Sequence, residues 1–158
     1  MAEQAAVHFL ATSTVKQEGY SVDQGWKNNE ERKKTLTLAY AAEIGVAKKL
    51  KKQWNGMSTG KRMADVGNNI EVRWTSTNHA IVYENDRDTD LLFLVKGATI
   101  DDLYIAGFIP IKMAKVEAYK LERAGQALTY WVPLEKLYTY LPNNGAVTTF
   151  IDRFTQWV

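Results

Sequence analysis

The sequence contains no cysteine. Disulfides, thiolate nucleophiles and Cys-ligated zinc are therefore excluded, and a reducing cytoplasm suits the composition. No apolar run approaches the roughly 18 residues of a membrane-spanning helix. The opening Met1-Ala2-Glu3-Gln4-Ala5 has no basic segment followed by an apolar one, so no secretory signal and no membrane partner are expected. Charge of one sign is also scarce: the formal net charge is +2. There is no phosphate-cradling loop, because Gly56-Met57-Ser58-Thr59-Gly60-Lys61-Arg62 lacks the four-residue spacer before its Gly-Lys pair. Asp86-Arg87-Asp88-Thr89-Asp90 starts like a calcium loop, but Leu91 stands at the sixth position and Gly97 at the twelfth, where glycine and an acid belong. It reads as an acidic turn between strands.

What is there is ordinary in bulk. At 158 residues, with 46% hydrophobic and 24% charged residues, the chain is long enough for one domain with a substantial core. The charge is unevenly spread. Lys48, Lys49, Lys51, Lys52, Lys61 and Arg62 crowd a segment, 48–62, that holds no acid. A one-sided basic surface attracts polyanions even when total charge is small; the alternative is a solvated helix face.

Residues 1–28 read as an arm, with Gly19 and Gly25 as breaks and His8 as a packed residue. Residues 29–158 read as the domain. Asn29 to Trp54 has the three-to-four spacing of a helix: Leu36, Tyr40, Ala47, Leu50 and Trp54 form one stripe, with Asn55-Gly56 as its stop. Glu43 falls on that stripe. A carboxylate facing inward needs a cation or a metal; the plainer reading puts Glu43 at the stripe edge, reaching a lysine or arginine. Strands are expected at 70–75, 80–83, 91–95, 103–109 and 128–132. Ser76 to His79 is expected as a hairpin turn between the first two. Ile111 to Leu121 should be a short helix, and Pro133 should open a helical turn. The fold class is thus α/β or α+β, with a long N-terminal helix, a mixed central sheet of about five strands and small C-terminal helices.

The most informative stretch is Ala64-Asp65-Val66-Gly67-Asn68-Asn69-Ile70-Glu71-Val72-Arg73-Trp74-Thr75. Strand alternation puts Ile70, Val72 and Trp74 on one face and Glu71, Arg73 and Thr75 on the other. Gly67-Asn68-Asn69 favours a tight turn that returns Asp65 to Glu71. Two acids and a base converging at a strand end suit a divalent cation and a phosphate. An Asp near a turn and a Glu-x-Arg on a strand also occur without function. The aromatics Trp54, Trp74, Trp131, Tyr130, Tyr138 and Tyr140 read chiefly as core and interface, with base stacking as the alternative.

A helix carrying Ala42-Glu43-Ile44-Gly45-Val46-Ala47-Lys48, then Ala64-Asp65-Val66-Gly67, then Ile70-Glu71-Val72-Arg73, resembles the PD-(D/E)xK nuclease superfamily, and within it small phage proteins. The resemblance covers residues 30–135. It implies a restriction-endonuclease-like fold and a Mg²⁺- or Mn²⁺-dependent nuclease hydrolysing DNA phosphodiesters, of phage or prophage origin, in a bacterial host cytoplasm. It implies that Asp65, Glu71 and the Val72 carbonyl hold the metal, with Glu43 as a supporting acid. Arg73 stands where that superfamily usually has lysine. Arginine stays protonated and makes a poor base, but it can grip a phosphate. Lys48, Lys49, Lys51, Lys52, Lys61 and Arg62 would track the DNA backbone. Two other readings stay open. One is a catalytically inactive module of this fold that binds DNA or a host defence protein. The other is a phage structural or assembly protein whose aromatic tail, Phe150 to Val158, docks on another copy.

Overall fold

The computed structural model describes residues 29–56 and 63–141. The first element is α1, Asn29–Leu50. Glu30 and Glu31 lie in its first turn and Lys48 and Lys49 in its last, so fixed charges oppose both ends of the helix dipole. Its inward face is Leu38, Ala42, Val46 and Ala47, rotated from the expected Leu36–Tyr40–Ala47–Leu50 stripe. Leu36 and Tyr40 are only half-buried. Small side chains won the contact because α1 lies against a sheet, where alanine and valine permit close approach.

That sheet holds β1 (Ile70–Trp74), β3 (Leu91–Lys96) and β4 (Tyr104–Pro110), in the order β1-β3-β4. β1 runs parallel to β3, and β3 antiparallel to β4. β3 is buried from Leu91 to Val95, as a central strand covered on both faces must be. Its side chains alternate between two cores. Leu91, Phe93 and Val95 join Ile70, Val72 and Phe108 beneath Ala42 and Val46 of α1. Leu92 and Leu94 join Ile109, Ala80, Val82 and Val132 on the other side. The second core is closed by another sheet, β2 (His79–Tyr83), β6 (Thr129–Pro133) and β5 (Lys120–Leu121), in the order β2-β6-β5. The short helix α2, Ile111–Ala114, adds Ile111 and Ala114. Helix, sheet and sheet make three layers.

The expected single sheet of about five strands is therefore two three-stranded sheets. The expected hairpin across Ser76 to His79 is not one: β1 pairs with β3 and β2 with β6. That loop carries the chain between layers, and His79 opens β2 with its ring 5.6 Å from Trp131. The expected helix Ile111–Leu121 stops at Ala114. Lys115 leaves it to donate through Nζ to the carbonyls of Glu84 and Asp86 and to Asp88, which pins the acidic turn 84–90. The turn after Pro133 is present as a 3-10 turn at Leu134–Lys136. The arm 1–28, Lys61, Arg62 and the aromatic tail lie outside the described residues.

Candidate metal centre

Glu43, Asp65 and Glu71 come together at the edge of β1. The route begins where α1 stops. Lys51 takes a left-handed conformation, φ 53°. Its N–H bonds the Lys48 carbonyl, and the Lys52 N–H bonds that of Ala47. This is a Schellman stop with lysine where glycine usually stands. The helix thus ends before the expected Asn55-Gly56, and the chain doubles back so that Trp54 bridges Val66.

Asn55 then clamps the second limb. Its Nδ2 donates to the carbonyls of Ala64 (2.6 Å) and Gly67 (2.7 Å), and its backbone N–H to that of Asp65 (3.0 Å). Val66 and Ile70 exchange two backbone hydrogen bonds around Gly67, whose φ is 57°. The tight return from Asp65 to Glu71 is thus present as expected. A Cβ at Gly67 would also lie 3.3 Å from the Lys52 side chain, a tight contact that adds to the preference for glycine set by the positive φ.

The strand edge explains what Asp65 meets. Asn69 and Thr75 bond across to β3, so the even residues of β1 turn their backbone groups to the opposite edge. There the Val72 N–H donates to Asp65 Oδ2 at 2.8 Å. The Val72 carbonyl opens on that same edge.

Each acid is half-buried, and burial is the main cause of each shift. Glu43 is pushed up to about 8, by desolvation first and then by the Asp65 charge, while the Trp54 Nε1–H bond (2.8 Å) pulls it down. Glu71 is pushed up to about 7 by desolvation and Asp65, against the pull of Arg73. Asp65 is raised by desolvation, which outweighs the Val72 N–H, Arg73 and a hydrogen bond with the Glu71 carboxyl. The Asp65 charge in turn raises Glu71 and Glu43, as like charges held close together do. Among the described residues the acids are close enough to perturb one another but are not closed into a set at metal-ligand spacing. The donors are hard oxygens whose mutual repulsion a proton or a divalent cation relieves, which fits Mg²⁺ or Mn²⁺.

Arg73 is engaged elsewhere. Its Nη2 lies 2.9 Å from both carboxylate oxygens of Asp86, and its guanidinium sits 5.2 Å from the Tyr83 ring centroid. Asp86 also accepts from the Tyr83 N–H at 2.8 Å. Nη1 is buried without a hydrogen-bond partner. Arg73 thus faces Asp65 and Glu71 as a counter-charge fixed from behind. Lys48, Lys49 and Lys51 are exposed and Lys52 half-buried, on the helix end that adjoins the acids. Reading the sequence missed Trp54 as the Glu43 donor and Asn55 as the clamp. Their three bonds span 9 to 12 residues, and no local pattern signals them.

The chain matches no family model, no curated protein and no solved structure. Among the described residues no helix is long and apolar enough to cross a membrane.

Proposed function

We propose that this protein is a metal-dependent nuclease acting on DNA phosphodiesters, with Asp65, Glu71 and the Val72 carbonyl as ligands of Mg²⁺ or Mn²⁺. One observation carries the reading. Three carboxyl groups are gathered beside one strand edge, and burial together with mutual repulsion raises the pKa of each, an arrangement that disfavours the fully charged state. Strongly perturbed carboxyls in such a cluster mark functional sites.

A bound divalent ion would supply charge neutralisation and a more acidic water. The chain's own residues do the rest. The Val72 N–H orients Asp65. Trp54 fixes the Glu43 carboxyl, which can hold a proton at neutral pH. Arg73 offsets the acidic charge and, being permanently protonated, is no general base. The exposed lysines at the end of α1 attract the phosphate backbone. Restriction-endonuclease-like architecture and a phage origin belong to this same proposal.

The second reading, a binding module without catalysis, draws on Arg73: the usual lysine is replaced and its replacement is tied to Asp86. One experiment separates the two. Mn²⁺ is titrated calorimetrically into wild type, Asp65→Asn and Glu71→Gln, and the same samples are assayed for plasmid nicking. The nuclease reading expects wild-type binding and nicking, each reduced at least tenfold in both variants. Nicking at wild-type rate in both would sink it. Retardation of the same plasmid in a gel by the wild type, without Mn²⁺ binding or nicking, would favour the module.

A further inference from the structure

A second feature lies away from the acids. A cavity of about 810 Å³ opens between the N-terminal half of α1 and the carboxyl ends of β1 and β3. Open sheets bind ligands at the carboxyl ends of parallel strands, and β1 and β3 are the parallel pair. Leu38 and Trp74 line the cavity, and the indole is held fast by an Nε1–H bond to the Gly97 carbonyl at 2.8 Å. Tyr104 stands at its wall, 55% exposed. Lys34 and Lys96 line it as cations, with Glu31 as the one acid. Lys96 Nζ is aimed by Asn78 Oδ1 at 2.8 Å.

Rigid and accessible aromatic surface beside two ammonium groups is the chemistry that holds a stacked base and its phosphate. A flat heteroaromatic ring finds apolar faces, and the phosphates find charge. The cavity and the acidic edge draw on the same two elements, α1 and β1. Trp74 lies three residues beyond Glu71 on β1, roughly 10 Å along the strand and on its other face, and Leu38 lies little more than one turn before Glu43 on α1. We infer that this cavity binds a base of single-stranded DNA lying along α1, with Tyr104 as the stacking platform. This deepens the nuclease reading by naming the form of substrate, and rests on it only for the orientation of the strand.

The test uses the full chain in EDTA, so that it is independent of any metal. Fluorescein-labelled octathymidylate and a blunt 16-base-pair duplex are titrated by anisotropy against wild type, Tyr104→Ala and Tyr104→Phe. Tyr104 is exposed, so the alanine variant is expected to fold, which circular dichroism checks. Stacking on one side chain is worth about tenfold or more in affinity. The expected result is a loss of about that size for the single strand in Tyr104→Ala, wild-type affinity in Tyr104→Phe, and no change for the duplex. A wild type that does not bind the single strand, equal losses on strand and duplex, or unchanged binding in Tyr104→Ala would overturn the assignment. No nicking by the wild type in the metal experiment, or nicking at wild-type rate in both of its variants, with these affinities intact would sink the nuclease reading alone.

Discussion

Glu43 carries the clearest consequence at the scale of single residues. Its carboxyl is raised from the ordinary 4.5 to about 8, and that of Glu71 from 4.5 to about 7. A raised carboxylate means that the folded state binds the proton more tightly than the unfolded state. Stability then falls with rising pH wherever the folded state holds the extra proton. The loss begins near pH 4.5, where the unfolded chain ionises, and is complete above about pH 8. Metal-free protein should therefore show a falling Tm between pH 5 and pH 8.5 in EDTA. Glu43→Gln removes one charge while keeping an acceptor for Trp54. It should raise Tm at pH 8.5 and leave it nearly unchanged at pH 4.5. A variant that shifts Tm equally at both pH values would contradict the burial of an ionising group. Added Mn²⁺ should stabilise the wild type more at pH 8 than at pH 5, because cation and proton compete for the same oxygens.

At the scale of elements, two positions test how the site is held. Lys51 sits in the left-handed region, where a side chain costs about 1 kcal/mol relative to glycine. Lys51→Gly should stabilise the fold by about 0.5–1 kcal/mol in urea melts. No gain would mean that the lysine stem makes an offsetting contact. Gly107 is the opposite case. A Cβ there would lie 2.7 Å from Leu137 Cβ and 3.0 Å from the Tyr138 carbonyl oxygen, where Phe108 and Tyr138 exchange backbone hydrogen bonds. Gly107→Ala should destabilise by about 1–3 kcal/mol. The turn at Asp65–Glu71 was legible at this scale, because Gly67-Asn68-Asn69 is local turn chemistry. The inward face of α1 was not: several stripes satisfy the spacing, and the sheet's need for small side chains chose Ala42 and Val46.

The whole molecule has little net charge, +2, so any affinity for DNA must come from how charge is placed. Lys48, Lys49, Lys51 and Lys52 lie at one end of α1, beside the acids. On duplex DNA each phosphate contact contributes about 0.9 to the slope of log K against log salt, and on a single strand about 0.7. Lys48→Gln with Lys51→Gln should reduce that slope by up to about 2, without changing the pH dependence of Tm set by Glu43. An unchanged slope would remove this helix end from the DNA path. Both α1 and β1 contribute residues to the acidic cluster and to the cavity at Trp74.

Residue types alone determined the long helix, the buried strand at Leu91–Val95, the acidic turn and the candidacy of Glu43, Asp65 and Glu71, because each rests on periodicity or turn chemistry within a few residues. The tertiary structure decided the rest. Strand pairing is set by which faces must be buried together, so β1 met β3 and β2 met β6 instead of each other. It also bound Trp54 to Glu43, Asn55 to Ala64 and Gly67, and Arg73 to Asp86. Those bonds join groups separated by turns of the chain, and only the packed layers bring them within hydrogen-bonding distance.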